Sequence, residues 1–434
     1  MSQETIKISV RSPLLKVVML VLVIVAGVWS YFVVRWYLGN TLAEYFNTDL
    51  NSLGIAQRAV GLAPNDPLTH WRIAQVSERA LPLDQQSQAI AEYRKAVTLS
   101  PNDYRFWMSL GIAYEQAGDN ENAEHALRRA VALAPAYVYP HWYLGNLFVR
   151  TGRYDDAFAE LRIASQADPQ FLSQLFRFNS EINSDDPSAQ RKALGENSNW
   201  RAQFAVYLVE RKQVDKGVAF WNAMSTEEKR ANQASGQALI ASLSKEFRYH
   251  DALSVWNEIT NDNSRTEVGR VFDGSFEENV NYGPDQPFGW QVKSVPQVEV
   301  GIDPNRNHGG SRSLRFVFQV RSVADTAIVS QLVAVQPQTE YEFECYLSTD
   351  QLQSGGTPQI DIVDPVTTKT IVSSKPAPTG TTNWNRINLS FKTNEKVEAV
   401  IVRIVRVSCV TEQTPVCPIF GSVWYDDFSI KRAN

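Results

Sequence analysis

The chain has 434 residues, of which 44% are hydrophobic and 21% charged, a composition typical of folded domains and unlike that of disordered chains. Its length allows two or three domains, each with its own core. The formal net charge of -5 comes without a basic stripe, which argues against a nucleic-acid partner. The three Cys and five His do not stand at metal-ligand spacings.

An apolar run near the N-terminus predicts a membrane anchor. Between Lys16 and Arg35 lie 18 residues without a charge, a span of about 27 Å at ~1.5 Å per residue. A cleaved signal peptide is the competing interpretation, but the bulky residues that follow Trp29 offer no small-x-small cleavage site. The sequence therefore predicts a transmembrane helix over residues 14–38, preceded by a short tail of residues 1–13.

Basic residues near this run predict its orientation. Lys7, Arg11 and Lys16 precede it, whereas Arg35 follows it at close range and argues weakly the other way. By the positive-inside rule the tail lies in the cytoplasm and the chain beyond about residue 39 lies outside it. We expect a single-pass membrane protein whose bulk is extracytoplasmic, which means periplasmic in a bacterium.

A 34-residue repeat is the strongest pattern in the chain. The residues that recur at this offset are Pro101, Pro135 and Pro169; Leu110 and Leu144; Gly111 and Gly145; Gly118 and Gly152; Ala123 and Ala157; Leu127 and Leu161; and Ala130 and Ala164. Gly111 and Ala123 are small because the two helices of a hairpin must cross there. With Trp107 at its aromatic anchor, replaced by His141 in the next unit, the pattern resembles the tetratricopeptide repeat. The resemblance implies helix pairs stacked into a solenoid.

Degenerate repeats extend the predicted array to residues 39–265, with residues 102–169 as its clearest part. Trp71 takes the place of Trp107 if two residues are inserted near residues 81–83. Other candidate second helices share small or aromatic residues at fixed spacing: Ala59 and Pro64 just beyond the membrane, and Gly217, Trp221 and Met224, which recur at offset 35 as Ala252, Trp256 and Ile259. About three or more stacked units bury each other's apolar faces, and these copies supply them.

The first helix of each pair carries the predicted binding surface. Tetratricopeptide arrays bind extended peptides in a concave groove, and the resemblance places eight residues there. These residues are Arg105, Met108, Ile112, Gln116, Tyr139, Trp142, Asn146 and Arg150. Arg150 and Asn146 carry groups suited to a peptide backbone or carboxylate. For any one residue the simpler interpretation is a solvated side chain, so the prediction concerns the groove as a whole.

From about residue 266 the pattern changes to short strands with period-two alternation, typical of a β-sandwich or barrel. In one such strand Glu340, Glu342 and Glu344 share one face, while Tyr341, Phe343, Cys345 and Leu347 share the other. The ordered landmarks DGSFEE, PFGW, GSRSLRFVF, TTNWNRINLSF and VWYDDFSIKR make residues 266–434 resemble a carbohydrate-binding module of the galactose-binding-like jelly-roll kind. The predicted fold class is multidomain: a transmembrane helix, an all-α tetratricopeptide solenoid, then an all-β jelly-roll sandwich.

Sugar binding by such a module needs aromatic platforms exposed at a cleft. The resemblance places Trp290, Trp384 and Trp424 in the core. Tyr282 and Phe288 lie in a Pro- and Gly-rich loop, and they are the candidates for glycan contact. Structural or protein-contact use of the domain is the alternative, so carbohydrate is a second candidate partner beside protein.

The same resemblance implies a structural calcium ion where the first and last strands meet, with Glu277 and Asp426 at the matching positions. Strand parity turns Asp426 toward the side of Trp424, Phe428 and Ile430, and an inward carboxylate is costly unless it is paired or metal-bound. An Arg partner, or a bulge that turns Asp426 to water, is the open alternative.

The three cysteines bear on the compartment. Cys345 shares its strand face with apolar residues, which predicts a buried and inert thiol. Cys409 and Cys417 bracket a loop, and a disulfide between them suits an extracytoplasmic domain. Three reduced thiols in a cytosolic domain are the alternative.

Catalytic motifs are missing from the sequence. It contains neither a G-x-S-x-G elbow, a phosphate-cradling glycine loop, H-E-x-x-H nor C-x-x-C. Adjacent carboxylates such as Asp426 and Asp427 point to opposite faces of a strand and cannot flank one bond. We therefore predict a non-catalytic, membrane-tethered scaffold that binds protein partners, by analogy in cell-envelope polysaccharide synthesis or export. A glycan-recognition protein whose sandwich binds carbohydrate is the alternative.

Overall fold

The computed structural model describes residues 13–45, 52–79, 83–260, 265–278, 286–319, 321–323, 327–407, 409 and 416–433. The chain divides into two compact units between residues 195 and 196. The first unit holds the N-terminal helix and the clearest repeats. The second holds the last helical hairpins together with the β-sheets.

The first unit is built from helices. Its described helices are α1 (Pro13–Tyr45), α2 (Leu53–Leu62), α3 (Pro67–Arg79), α4 (Leu83–Leu99), α5 (Tyr104–Gln116), α6 (Asn120–Leu133), α7 (Val138–Arg150), α8 (Tyr154–Ala167), α9 (Leu172–Ile182) and α10 (Pro187–Leu194), with a 3-10 turn at Pro169–Phe171. Asp103 starts α5 by accepting a hydrogen bond from the Arg105 backbone N. Gly118 and Gly152 follow α5 and α7 with φ of +80° and +76°, a conformation that glycine adopts without strain.

α1 is longer than the predicted transmembrane segment and joins the array directly. Within the described residues it is the one helix long and apolar enough to cross a membrane, judged by length and composition, and its apolar stretch is exposed. Its C-terminal end, in contrast, buries Gly39 and Ala43, which lie one turn apart. A Cβ added to Gly39 would lie 2.7 Å from the Ala63 Cβ, and the Ala43 carbonyl accepts a 2.7 Å bond from Arg72 Nε. The end of α1 therefore packs as part of the first hairpin.

The repeat register is confirmed at the glycines. A Cβ at Gly111 would lie 2.6 Å from Leu127 Cγ, and one at Gly145 would lie 2.9 Å from Leu161 Cγ. Both contacts join the first helix of a pair to its second helix, α5 to α6 and α7 to α8. α2 fills the place predicted for a second helix that ends before Pro64.

The second unit begins with α11 (Ser198–Glu210), α12 (Val214–Asn222), α13 (Thr226–Ala231), α14 (Gln233–Lys245) and α15 (Tyr249–Ile259). α11 with α12, and α14 with α15, are the two further hairpins that the sequence predicts. Trp221 is fully buried, and its Nε1 donates a 2.8 Å bond to Glu258. α15 also touches the sandwich, because His250 Nε2 lies 2.8 Å from the Val335 carbonyl oxygen.

Two antiparallel sheets form the sandwich. One has the strand order β1-β5-β10-β7-β8, formed by β1 (Gln291–Val292), β5 (Ala327–Ala334), β10 (Ala399–Arg406), β7 (Pro358–Val363) and β8 (Thr370–Ser373). The other has the order β2-β3-β11-β6-β9, formed by β2 (Val298–Asp303), β3 (Ser313–Phe318), β11 (Val416–Arg432), β6 (Glu340–Ser354) and β9 (Gly380–Lys392), with β4 (Arg321–Val323) paired to β11. The inner faces share one apolar core.

The alternation predicted for β6 is confirmed. Tyr341, Phe343, Cys345 and Leu347 are all buried in the core between the sheets. Ile360 and Ile362 of β7, with Val400, Val402 and Ile404 of β10, supply the facing layer. Period-two patterning therefore turns one face of β6 toward the core over residues 340–347, and three consecutive residues, Leu347, Ser348 and Thr349, are buried where the alternation ends.

Candidate functional site

A ring-to-carbonyl hydrogen bond repeats at the start of three first helices, α3, α5 and α7. In each case a ring N–H reaches the carbonyl of the proline six residues earlier: His70 to Pro64 at 2.8 Å, Trp107 to Pro101 at 2.9 Å and His141 to Pro135 at 2.9 Å. His70, and not Trp71, therefore occupies the position of Trp107. The predicted alignment of Trp71 with Trp107 is wrong because a histidine makes the same bond as the tryptophan.

Each histidine of this set also holds a carboxylate of the following second helix. His70 Nδ1 lies 2.6 Å from Glu92, and His141 Nδ1 lies 2.5 Å from Glu160. Both histidines are almost fully buried, and each joins its own helix to the following second helix and to the turn that precedes it. Hydrogen bonds from His70 and Lys95 to the Glu92 carboxylate lower its pKa against the opposing effect of burial.

The corrected register places three large side chains in line. Trp71, Met108 and Trp142 each follow the ring residue on α3, α5 and α7, and all three are half-buried. The indole N–H of Trp71 donates to Ser109 Oγ at 2.9 Å. A row of large side chains thus runs along the first helices, which is the surface predicted to bind partners.

Aromatic rings continue this row toward α9. Trp142 lies 4.7 Å from Tyr143 and 5.8 Å from Phe171, and Tyr139 lies 5.9 Å from Phe171, all measured between ring centroids. Tyr139 keeps 57% of its surface exposed. These four residues, Tyr139, Trp142, Tyr143 and Phe171, are called the aromatic run below. Tyr143 and Phe171 were not predicted from the sequence. Phe171 lies in the turn before α9, outside the helices on which the groove residues were sought.

The two predicted groove arginines are both ion-paired. Arg150 forms an ion pair with Glu115 of the preceding first helix while its own side chain stays 59% exposed. Arg105 donates to Asp103 at 2.6 Å, and this hydrogen bond is the main cause that raises the pKa of Arg105 and lowers that of Asp103. The Arg150 pair links two hairpins, whereas the Arg105 pair closes the start of its own helix.

The remaining groove candidates lie on the same helix faces. Ile112 and Asn146 are half-buried, and Gln116 is exposed at the end of α5. The Asn146 side-chain amide donates to the Trp142 carbonyl at 2.7 Å, and its oxygen has no hydrogen-bond partner among the described residues. That these residues bind a partner stays a prediction.

On the sandwich, the two loop aromatics do not form a platform. Phe288 is 2% exposed and therefore cannot stack on a sugar, so its assignment as a glycan contact is wrong. Loop composition indicates a turn-rich segment, but it does not say which side chains of the segment point inward. Tyr282 lies outside the described residues.

The three sandwich tryptophans differ in their surroundings. Trp290 belongs to the core, as predicted. Trp424 is 5% exposed, but it packs under the Arg306 guanidinium, 4.2 Å from the ring, and lies outside the core between the sheets, so the prediction that it belongs to the core is wrong. Trp384 is half-buried on the outer surface of β9, so the prediction that it belongs to the core is wrong.

An aromatic cluster that the sequence reading missed lies on this outer surface. The His308 ring stacks on Tyr346 with centroids 3.5 Å apart, and it meets Trp384 edge-on at 5.8 Å. His308 Nδ1 lies 2.7 Å from Asp427, and 33% of the His308 side chain is exposed.

His308 and Tyr346 line a cleft of about 1050 Å³. Tyr346 shares strand parity with Glu342 and Glu344, which was the available signal.

A bulge in β11 settles the direction of Asp426. The prediction that Asp426 shares a face with Phe428 and Ile430 is wrong, because the pairing of β11 with β6 shifts between Asp426 and Ser429. Asp427 has φ of +54° inside this bulge. Asp426 consequently points away from the core while remaining fully buried.

Asp426 and Glu277 hold one loop. Asp426 accepts hydrogen bonds from the backbone N of His308 at 2.7 Å and of Gly309 at 3.1 Å. Glu277 accepts from the backbone N and the hydroxyl of Ser311, both at 2.6 Å. Burial raises the pKa of Asp426 to about 6.

N–H donors therefore occupy oxygens that a calcium ion would need from Glu277 and Asp426. Within the described part of the chain, clusters of three or more His, Cys, Asp or Glu placed to hold a metal are absent. In this arrangement the two carboxylates hold the loop by hydrogen bonds and do not form a coordination site for a cation. Calcium binding, which would draw on backbone carbonyls as well, stays a prediction.

The structure bonds Cys409 to Cys417, with Cα atoms 5.8 Å apart. Cys345 is a free and fully buried thiol, and its pKa is raised well above its usual value by burial. The guanidinium of Arg406, itself fully buried, donates to the Cys417 carbonyl and to the Gly356 carbonyl. The disulfide is thus built into the end of the sandwich.

Comparison with known proteins agrees with the helical architecture. Residues 85–138 and 112–170 match the family model described as tetratricopeptide repeat. The chain is 27% identical over 128 residues to Superkiller protein 3 of Schizosaccharomyces pombe, a match that covers 29% of this chain and 9% of that protein. The chain therefore contains tetratricopeptide repeats, and it spans about a tenth of that relative's length.

Solved structures resemble each part separately. A crystal structure of MamA is 13% identical, covers 48% of this chain and 84% of its own, and has a TM-score of 0.26. The CBM22-1 xylan-binding domain from Paenibacillus barcinonensis Xyn10C is also 13% identical, covers 38% of this chain and 97% of its own, and has a TM-score of 0.26. Likeness at this level carries no functional information about this chain.

Proposed function

We propose that the protein is a non-catalytic scaffold, anchored in a membrane by α1, that binds protein partners through the first helices of its tetratricopeptide array. The observation that carries this proposal is the continuity of α1 with the array. Its exposed apolar stretch and its packed end at Gly39 and Ala43 belong to one helix. An exposed apolar stretch of this length is stable in lipid and costly in water.

The proposed topology has the N-terminal tail in the cytoplasm and the array and sandwich outside it. Arg35, the residue that opposed this orientation, donates a 2.7 Å bond to the Gly61 carbonyl, so the first hairpin occupies its side chain. The disulfide between Cys409 and Cys417 favours the same extracytoplasmic location. Cell-envelope polysaccharide synthesis or export is the process we propose, by analogy with such domain combinations.

Partner binding is tested in the membrane-bound protein. Asn146→Ala with Arg150→Ala removes two polar groups from the groove, and because Glu115 is only 10% exposed, the loss of its ion-pair partner also lowers the stability of the array. We expect weaker recovery of partners in affinity purification from solubilised membranes, quantified by mass spectrometry, at a temperature at which circular dichroism shows that the variant is folded.

Arg128→Ala is the matched control for this experiment. Arg128 is an ion-paired arginine with 52% of its side chain exposed, on the second helix α6 and not on a first helix. Its loss should leave partner recovery unchanged. Equal recovery from the groove variant and this control would contradict groove binding.

The aromatic cluster favours glycan recognition as a second function. His308 and Tyr346 place rings beside the carboxylates of Glu344 and Asp427 at one cleft, and Trp384 contacts the His308 ring edge-on. Rings that cover C–H faces of a sugar and carboxylates that accept its hydroxyls are the groups carbohydrate binding needs.

The glycan function is tested with the full-length chain on a glycan array. We expect Tyr346→Ala with Trp384→Ala to abolish any signal. Phe420→Ala removes another exposed sandwich aromatic, 46% exposed on β11, and should leave the signal intact. Absence of any glycan signal, or equal loss in the Phe420 control, would refute this function.

A further inference from the structure

With α1 in the bilayer, its end is placed at a definite depth. The 18 residues before Arg35 are uncharged, and a helix of this length spans about 27 Å and nearly matches the hydrocarbon core. Arg35 then lies at the border of the core, and Gly39 lies about 6 Å further along the helix axis. The headgroup layer on each side is roughly 5–8 Å thick, so residues 35–39 lie within it. Trp36 and Tyr37, which are 51% and 62% exposed, are side chains that favour this layer.

The turn between α2 and α3, residues 61–68, is held at the same depth. Arg35 donates a 2.7 Å hydrogen bond to the Gly61 carbonyl. A Cβ added to Gly39 would lie 2.7 Å from the Ala63 Cβ. These contacts join two successive turns of α1 to the end of α2. The α2–α3 turn therefore lies in the headgroup layer beside α1.

The α2–α3 turn exposes no charged side chain. Asp66 is the one charged residue between Arg58 and Arg72. It is 4% exposed, and its carboxylate accepts hydrogen bonds from Asn40 Nδ2 at 2.8 Å and from the Leu68 backbone N at 2.9 Å. Because the turn has no exposed charge to desolvate, its contact with lipid costs little free energy.

The opposite edge of the array is charged. Since the helices alternate in direction, the turn inside each hairpin lies at the edge away from the α2–α3 turn. The α7–α8 turn at that edge exposes Arg153, Asp155 and Asp156 around Tyr154. The α6–α7 turn, at the same edge as the α2–α3 turn, carries no charge over residues 134–139. This difference between the edges suits an array with one edge toward lipid and the other toward water.

The edge that holds the α2–α3 turn also exposes large apolar side chains. Leu99 is 41% exposed and Tyr137 is 58% exposed, and the Tyr137 ring lies 5.1 Å from the Tyr104 ring between centroids. The charged residues nearest to them in the chain, Asp103 and Arg105, are paired with each other. Leucine and tyrosine are common in protein surfaces that lie at a bilayer interface.

We infer that this edge of the first unit lies on the bilayer, with residues 61–68 among the lipid headgroups. The inference rests on the proposed membrane anchor and adds a second contact between the protein and the lipid surface. Lipid, and not a protein partner, is the occupant of this edge. A solenoid rotates by a small angle at each repeat, so the distance from the bilayer should grow from the α2–α3 turn to the α6–α7 turn.

The residue that follows each repeat proline gives a matched set of probe positions. Asn65, Asn102 and Ala136 occupy this position in three successive turns, and all three are exposed. Each is replaced by cysteine and labelled with the fluorescent dye NBD in the full-length protein, which is then reconstituted in nanodiscs. Labelling without reductant leaves the disulfide closed, and Cys345 is buried, so the introduced cysteine takes the dye.

Two further variants calibrate the signal. Phe32→Cys lies in the apolar stretch of α1, where Phe32 is 61% exposed, and serves as the positive control. Asn120→Cys lies at the exposed start of α6, at the opposite edge of the array, and serves as the negative control. Circular dichroism checks that every labelled variant is folded.

Two quenchers report the surroundings of the dye. Lipids brominated in the upper part of their acyl chains quench a dye near the bilayer, and iodide in the buffer quenches a dye in water. We expect brominated lipid to cause the largest loss of fluorescence in Phe32→Cys, a smaller loss in Asn65→Cys and none in Asn120→Cys. Asn102→Cys and Ala136→Cys should show successively less loss than Asn65→Cys, and iodide should give the reverse order.

Two results separate this inference from the membrane anchor. If brominated lipid quenches the dye in Phe32→Cys while Asn65→Cys responds to both quenchers as Asn120→Cys does, the contact with the bilayer is wrong and the anchor stands. If brominated lipid leaves the dye in Phe32→Cys unquenched, α1 is not in the bilayer and both proposals fail.

Discussion

Gly111 gives the sharpest test of the repeat packing. A Cβ there would lie 2.6 Å from Leu127 Cγ, 2.9 Å from Leu127 Cδ2 and 3.2 Å from the Ala123 carbonyl oxygen. Leu127 is fully buried, so its side chain has little room to retreat. Overpacking of this kind costs about 1–3 kcal/mol, and the better helix propensity of alanine returns up to about 1 kcal/mol.

Gly111→Ala should therefore lower the stability of the first unit by roughly 1–2 kcal/mol, and Gly111→Leu should lower it further. Gly145→Ala should cost less, because its Cβ would meet Leu161 at 2.9 and 3.1 Å. Gly61→Ala is the matched control, since this helical glycine has open space around its Cβ position. It should gain up to about 1 kcal/mol.

Hydrogen exchange with mass spectrometry measures these effects locally, which matters in a chain of two units. The protection of peptides from residues 104–133 reports the free energy of opening of the α5–α6 hairpin. Each variant is compared with the wild type in peptides that cover its own hairpin, where we expect the protection to rise for Gly61→Ala, to fall for Gly145→Ala and to fall further for Gly111→Ala. A Gly111→Ala variant as protected as the wild type would refute the assignment of Gly111 to a tight helix crossing.

Three further predictions concern the ends of the chain. Mass mapping after alkylation without reductant should find Cys409 bonded to Cys417, and Cys345 should react only after unfolding. Labelling of all three native thiols would disprove the disulfide and remove its support for the extracytoplasmic topology. The membrane-bound protein should keep its N-terminal segment, so a mature chain that starts after about residue 30 would disprove the anchor. Because burial raises the pKa of folded Asp426 to about 6, against ~3.9 for unfolded Asp, its carboxyl contributes less stability as pH rises from about 4 to about 6. The melting temperature of the wild type relative to Asp426→Asn should fall across that window, and a constant difference would exclude this titration.

The 34-residue period and the strand alternation were predictable because each depends on local spacing. Gly111 and Gly145 mark helix crossings by their size, and Phe343 and Leu347 mark a buried face by their parity. The predicted alignment of Trp71 with Trp107 failed because it matched one tryptophan to another. What the repeats share is a hydrogen bond from a ring N–H to the carbonyl of the proline six residues earlier, and His70 makes this bond as Trp107 does.

The sandwich surface could not be derived in the same way. Parity along β11 fails once a bulge inserts residues, and the turn of Asp427 into positive φ leaves no distinct sequence mark. The stacking of His308 on Tyr346 joins a loop to a strand far along the chain. Such contacts depend on where the loop is held, and that is decided by the hydrogen bonds from its backbone to Asp426 and Glu277.

The direct passage of α1 into the first hairpin has a mechanical consequence. A helix turns by ~100° per residue, so the azimuth at which Gly39 and Ala43 meet their neighbours is fixed relative to every lipid-facing residue before them. With α1 in the bilayer, rotation of this helix about its axis would rotate the whole first unit about the same axis. A neighbouring membrane helix that fixed the rotation of α1 would thereby fix the direction in which the groove faces.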